Sequence, residues 1–277
     1  MPKTDPSPSE AFAGFSAQDL GFLTGLAANN DKAWFTAHRA VYDEGLKPAM
    51  GRLIAALNKE FAARDLPFVG DAKKSIFRIH RDARFSKDKR PYKTHVSASL
   101  TREGDKKAPG LVYVHVEPEG GPARTFDPQT IDPLDPSTLP SAKAPHDDYA
   151  GEGPFVTAGF YLWDHRPLID AFRRQIIADP KAWLAVEKAL DDNGLELEDG
   201  APVKRMPKGF EEHAGGPLEA ALKKTHWLVE RRLTGPELAD PNLPALIADF
   251  AAQARPLFAF GWRALHGVPI HAKTGRR

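Results

Sequence analysis

The spacing of apolar residues changes twice along this chain, and the change restricts the folds open to it. From residue 16 to 63, apolar side chains such as Leu53 and Leu57 recur at the period of a helix. Between 75 and 163 they alternate with polar residues, which is typical of strands. Helical spacing then returns. Helices, then strands, then helices predict an α+β fold with an antiparallel-rich mixed sheet, flanked by N-terminal and C-terminal helices.

Three helices are predicted in the N-terminal part. Ser16 can cap the first, which ends at Asn29, and Asp31 can begin the second. The third covers residues 48–63. The same spacing places later helices at 166–178, 180–191 and 242–267, the last of them kinked or divided by Pro256.

Alternating apolar and polar residues predict five strands. The connections between the first three are too short for crossover helices, so we expect an antiparallel meander with one apolar face. The predicted strands cover residues 75–80, 93–100, 111–117, 155–163 and 226–233. The opposite face of the meander is expected to collect polar side chains: Arg78, His80, Lys93, His95, Tyr113, His115 and Glu117.

Proline content sets the expected domain organisation. Three prolines and no apolar periodicity predict a disordered lead-in at 1–14. Residues 15–267 are expected to form one α+β domain, followed by a flexible tail at 268–277. Eight of the 25 prolines fall between 118 and 154, which is too many for packed regular structure. We therefore expect a Pro-rich surface insertion there.

Composition excludes several classes of protein. The chain has no cysteine, which rules out disulfides, thiolate catalysis and cysteine-ligated metal sites. It has no apolar stretch of the roughly 18 residues that a membrane helix needs, and its first residues do not resemble a secretory signal. These features predict a cytoplasmic protein without a membrane partner. Neither a phosphate-binding P-loop motif nor a dinucleotide-binding glycine motif is present.

The charge is concentrated in one segment. Between Lys73 and Lys93 there are nine Lys and Arg residues and two Asp, although the formal net charge of the chain is +1. Such a surplus indicates a site for an anion, since arginine binds oxyanions with a planar fork and lysine adds a mobile charge. A solvated hairpin is the alternative. The predicted ligand-binding residues of the segment are Arg78, Arg81, Asp82, Arg84, Lys87 and Lys93.

Asp82 has a separate prediction. It is flanked by Arg81 and Arg84, and a carboxylate between two guanidinium groups is held in its charged form. We expect Asp82 to orient these arginines as a counter-ion and not to act as a catalytic base.

A second group of polar residues lies on neighbouring predicted strands. His95, His115 and Glu117 fall on the same face, where cross-strand side chains reach one another. We assign His95 and Glu117 as a catalytic pair for proton transfer and His115 as a ligand contact. Structural hydrogen bonding and metal binding are alternatives, and no metal ligand is assigned. Tyr161 either walls the same pocket or covers the sheet.

The run from Phe77 to His95 closely resembles the signature of an uncharacterised bacterial family, domain of unknown function 2461. The resemblance spans residues 15–265. It implies a shared fold and directs attention to the basic run, but it implies no activity. His80 stands where the family usually has tyrosine. Further matching segments are Phe22-Leu23, Asn29-Asn30, Trp34-Phe35, Arg39, 113–118, 159–163 and 205–210.

Taken together, these features predict an uncharacterised protein that binds an anionic, phosphate-bearing ligand between the basic hairpin and the His/Glu face. Hydrolytic or transfer chemistry is left open, and no cofactor is indicated. One alternative is a nucleic-acid-binding module, which a pI near 8.0 and a balanced total charge make less favourable. The other is a structural protein whose hairpin docks on the acidic surface of a partner.

Overall fold

The computed structural model of the protein describes residues 11–82, 88–106, 108–118, 153–162, 165–199 and 202–269. Outside these ranges lie the predicted lead-in up to residue 10, the insertion from 119 to 152, the tail from 270, Arg84 and Lys87. Within them the α+β fold is confirmed, with helices on both sides of the sheet in sequence. No helix in this part of the chain combines the length and apolar character needed to cross a membrane.

The N-terminal helices begin where the capping residues predict. Ser16 and Asp19 form a capping box, in which each side chain accepts a hydrogen bond from the backbone of the other. Asp31 caps the next helix through two backbone amides. The helices are α1 (Ala17–Ala28), α2 (Lys32–Ala40) and α3 (Lys47–Ala63), and a π-helical turn (Val41–Leu46) joins α2 to α3 without a break.

Within the described part of the chain, the sheet contains four antiparallel strands in the order of the sequence. They are β1 (Val96–Thr101), β2 (Leu111–Val116), β3 (Phe155–Phe160) and β4 (Trp227–Arg232). On the apolar face, Val114 pairs with Val156, and both are fully buried. This face packs against α3 and two C-terminal helices, so it forms the main hydrophobic core.

The C-terminal part is helical, as its sequence periodicity predicts. Pro256 lies in the first turn of the last helix, where a proline is tolerated because its missing N–H has no helical partner. It therefore divides the predicted 242–267 helix in two. The elements are α4 (Arg166–Ala178), α5 (Pro180–Asp192), a 3₁₀ turn (Glu211–His213), α6 (Glu219–Lys223), α7 (Gly235–Ala239), α8 (Leu243–Gln253) and α9 (Arg255–Ala264).

The first predicted strand is not a regular strand. Residues 75–80 make only two isolated bridges, Ile76 with Ala98 and His80 with Tyr92. Ile76 and His80 are four residues apart, whereas their partners Ala98 and Tyr92 are six residues apart. The two extra residues form a bulge at 94–95, so β1 begins at Val96 and not at residue 93 as predicted.

The second face of the sheet, on which polar side chains were expected, is buried. Every residue of β1, β2 and β3 is buried. Leu111, Tyr113 and Phe155 form a small apolar cluster on this face, with Phe77 and Tyr161 packed against it. Tyr161, for which covering the sheet was one of two alternatives, directly follows β3, and Phe77 comes from the segment before β1.

One side chain attaches the basic segment to the N-terminal helices. The amide of Asn30 donates to the carbonyl oxygen of Tyr92 and accepts from its backbone N–H, both at 3.0 Å. The ring of Tyr92 stacks on Phe35 of α2 with centroids 4.2 Å apart. The end of the hairpin is therefore held in place against α2.

Replacing Asn30 with alanine should lower the free energy of unfolding by about 1–3 kcal/mol, because two backbone groups of Tyr92 lose their partners. Asn29→Ala is the matched control, since the Asn29 amide makes only an exposed bond within its own helix. We expect it to cost below about 0.5 kcal/mol. Urea unfolding of both variants checks this, and equal losses would contradict the role given to Asn30.

Candidate functional site

A groove of about 850 Å³ separates the N-terminal helices from the basic segment. We call it the basic groove. Its first wall is the continuous helix from α2 into α3, which contributes Lys32, Phe35, Thr36, Arg39, Tyr42, Asp43 and Lys47. Its second wall and floor come from the hairpin and the β1–β2 turn: Lys73, Ile76, Phe77, Arg78, Ile79, His80, Asp82, Tyr92, Lys93 and Lys106.

Positive charge dominates this groove. Its described lining includes seven Lys and Arg side chains against two Asp. Arg39 pairs with Asp43 at 2.8 Å, but both remain open to solvent. Among the described residues, Lys32, Lys47 and Arg78 form no ion pair with a carboxylate. Cations gathered in a cleft with low-dielectric walls attract anions more strongly than scattered ones.

One wall also offers a neutral donor. Burial, followed by the nearby charge of Asp43, raises the pKa of Tyr42 to about 12. The Tyr42 phenol therefore stays protonated at neutral pH and can donate a hydrogen bond to an oxyanion.

Asp88 binds two arginines of the basic segment. The Arg81 guanidinium lies 2.7 Å from the Asp88 carboxylate and donates to the Arg90 carbonyl at 3.2 Å. Arg90 donates hydrogen bonds to the same carboxylate from Nε and Nη2. Partial burial opposes the ionisation of Asp88, but the bonds from Arg90 and the charge of Arg81 outweigh it and hold the pKa of Asp88 well below its usual range.

This arrangement bears on the predicted role of Asp82. The described ion-pair partner of Arg81 is Asp88, whereas Asp82 lines the basic groove. Arg84, the other predicted partner of Asp82, lies outside the described residues.

The predicted His/Glu residues come together inside the protein. His95 and His115 have ring centroids 4.1 Å apart and are at most 2% exposed. Thr94 donates to Glu117 Oε1 at 3.0 Å, and His115 Nε2 lies 3.5 Å from Glu117 Oε2. The bulge at 94–95 makes this possible, because it turns both residues towards the end of β2.

His115 is the centre of this cluster. Its ring stacks on Phe155 at 4.5 Å, and its Nδ1 lies 3.3 Å from the Tyr113 hydroxyl. Burial lowers the pKa of His115 to about 3, and the charges of Lys93 and Arg232 lower it further in the same direction. The ring is therefore neutral at physiological pH. The contacts fit one tautomer, in which Nδ1 accepts from Tyr113 and Nε2–H points to Glu117.

Lys93 connects the buried cluster to the groove. It lines the groove, although only 8% of it is exposed, and its ammonium lies 5.9 Å from the centre of the Phe77 ring. Its charge also acts on His115. A ligand at Lys93 would therefore be held next to the cluster without entering it.

The structure divides the predicted site residues between several locations. Arg78, Asp82 and Lys93 line the groove, together with His80. Arg81 is engaged in the hairpin ion pair. His95, His115 and Glu117 form the buried cluster. Tyr161 packs on the second face of the sheet, with its ring 5.3 Å from that of His226. No group of three or more His, Asp or Glu among the described residues is arranged to hold a metal.

Sequence reasoning missed the helical wall of the groove. It singled out Trp34, Phe35 and, through the family resemblance, Arg39, but not the polar face of this helix as a whole. Its polar residues also recur every three to four positions, so they share one face: Lys32, Thr36, Arg39, Asp43 and Lys47. This spacing was the signal that could have found them.

A family model described as conserved hypothetical protein (DUF2461) matches residues 18–124 and 148–260. The chain belongs to this family. The resemblance of the basic run is thereby confirmed. The curated proteins gave no match, and neither did the solved structures. The family description carries no activity, so a function for this DUF2461 protein has to be argued from the groove and the cluster.

The stability of this DUF2461 protein should fall as the pH falls from about 6.5 towards 3. An unfolded histidine has a pKa of about 6.5, whereas that of native His115 is about 3. Between these values the unfolded state binds more protons, so the stabilisation is complete above pH 6.5 and is lost on acidification. Native His226, with a pKa of about 4, acts in the same direction.

Urea unfolding between pH 7 and 4.5 tests the part that belongs to His115. We expect His115→Gln to remove about 2–3 kcal/mol of the pH dependence, since two pH units below the unfolded pKa correspond to this amount. His38→Gln, at an exposed position on α2, is the comparison variant. Parallel profiles for wild type and His115→Gln would contradict the prediction.

Proposed function

We propose that this DUF2461 protein binds an anionic, phosphate-bearing ligand in the basic groove. The observation that supports the proposal is the charge of one groove, whose described lining contains seven cations and two carboxylates. Phosphate suits this lining, because its oxygens accept several charge-assisted hydrogen bonds at once. The concave shape favours a small ligand over a flat docking surface.

Arg78 is the most informative contact. It is exposed in the groove, and the described residues offer it no carboxylate. Arginine can therefore present two parallel N–H donors to a phosphate without first breaking an ion pair. Lys32 and Lys47, on the opposite wall, likewise form no ion pair with a carboxylate of the described residues.

A reaction of the bound ligand is a separate proposal that depends on the binding proposal. The roles suggested for His95 and Glu117 in proton transfer stay predictions. Both are buried, and the described lining of the groove reaches them only through Lys93. The low pKa of His115 does not favour proton transfer by this ring, because a general base is most effective when its pKa lies near the working pH.

The two other functions also stay predictions. Docking on an acidic partner would suit the charge of the hairpin, but three of its described residues, Arg78, Asp82 and Lys93, lie in the concave groove. Binding of a single-stranded nucleic acid would require free aromatic faces for the bases.

Isothermal titration with pyrophosphate at low ionic strength tests the proposal. We expect Arg78→Gln to weaken binding by about tenfold or more, as the loss of a charge-assisted hydrogen bond implies. The matched control is Arg174→Gln, an exposed arginine of α4 that does not line the groove. It should bind as the wild type does.

Two outcomes would contradict the proposal. One is the absence of any heat of binding at millimolar pyrophosphate. The other is equal weakening by Arg78→Gln and Arg174→Gln, which would indicate attraction by net charge alone. High salt should weaken wild-type binding, because exposed charges are screened.

A further inference from the structure

The cationic lining of the basic groove extends over a long distance. Lys32, Arg39 and Lys47 lie on one face of the uninterrupted helix from α2 into α3. At about 1.5 Å of rise per residue, Lys32 and Lys47 are about 22 Å apart along the axis. A single phosphate group can contact only one part of such a row.

The opposite wall has a similar length. Residues 76–82 run beside 91–98, with backbone hydrogen bonds from Phe77 to Ser97, from Lys93 to Ile79 and from Arg81 to Pro91. Six extended steps at about 3.3 Å each span about 20 Å. Arg78 lies within this stretch, and Lys73 precedes it. The groove therefore has cations on both walls along most of its length.

The groove is limited in volume. At about 850 Å³ it lies within the usual range of about 300–1,000 Å³ for pockets that hold a single ligand. An anion that reaches from Lys32 to Lys47 within this volume is a linear chain rather than a double helix.

Most of the described aromatic rings of the groove are covered. Phe35, Tyr42 and Tyr92 are at most 8% exposed, and Phe35 and Tyr92 already stack on each other. The Phe77 ring has Lys106 at 5.0 Å and Lys93 at 5.9 Å from its centre. His80 is the exposed ring among the described lining residues. A single-stranded nucleic acid needs several free aromatic faces for successive bases, so the lining suits phosphoryl groups better than bases.

We propose that the ligand is a linear chain of several phosphoryl groups, of the inorganic polyphosphate type, lying along the groove. This inference rests on the proposed function and adds the length and the chemical class of the anion. It follows from the two long cationic walls, the limited volume and the covering of most of the rings. The chain would contact Lys32 near one end of the helical wall and Lys47 near the other.

Titration with orthophosphate, pyrophosphate, tripolyphosphate and longer polyphosphate at equal ionic strength tests the length. We expect affinity per molecule to rise at each step until the chain fills the groove. Lys32→Gln and Lys47→Gln should each weaken long-chain binding by about tenfold, the effect of losing one charge-assisted contact. Each should affect pyrophosphate less, since a short anion cannot reach both ends. Lys59→Gln, on an exposed position of α3 outside the groove, is the matched control.

The outcomes separate this inference from the proposed function. If pyrophosphate binds as tightly as the long chain, the linear-chain proposal is overturned and the phosphate-binding groove stands. If none of the anions binds, both fail. A single-stranded oligonucleotide of equal charge provides the last comparison, and tighter binding of the oligonucleotide than of polyphosphate would overturn the assignment to a chain without bases.

Discussion

The two hydrogen bonds between Asn30 and Tyr92 are the contact on which the basic groove depends. They join the turn between α1 and α2 to a segment 62 residues later in the chain. The concentrated cations of that segment repel one another and favour an open loop. Three contacts oppose this tendency. They are the hydrogen bonds of Asn30, the stack of Phe35 on Tyr92 and the ion pairs of Asp88 with Arg81 and Arg90. The groove is the space left between the two walls that these contacts hold.

Periodicity in the sequence predicted most of the fold because it reports which side of an element is buried. The helices began at the capping residues Ser16 and Asp31, and four of the five strands formed where alternation placed them. The bulge at 94–95 was not predictable from alternation, since it depends on pairing with a distant segment. The bulge places Thr94 within hydrogen-bond distance of Glu117 and the ring of His95 beside that of His115.

Local pattern predicted the candidate site less well than the fold. The basic run indicated one wall of the groove. The other wall is formed by the polar face of the helix from α2 into α3, which the sequence analysis did not identify as a face. Four members of the predicted polar face, His95, Tyr113, His115 and Glu117, lie together, whereas Arg78, His80 and Lys93 line the groove, and the burial of the face was missed. Burial depends on what packs over a face, and one covering residue, Phe77, comes from a separate segment. It also changes the chemistry, since it leaves His115 neutral.

The most direct test of an anion-binding groove is a crystal structure of the protein grown or soaked with tungstate, whose anomalous scattering identifies an oxyanion without ambiguity. We predict anomalous density between the helical wall and the hairpin, within contact of Arg78 and of Lys32 or Lys47. Tungstate bound only at other surfaces, with these side chains turned away from one another, would contradict the assignment of the groove as the binding site.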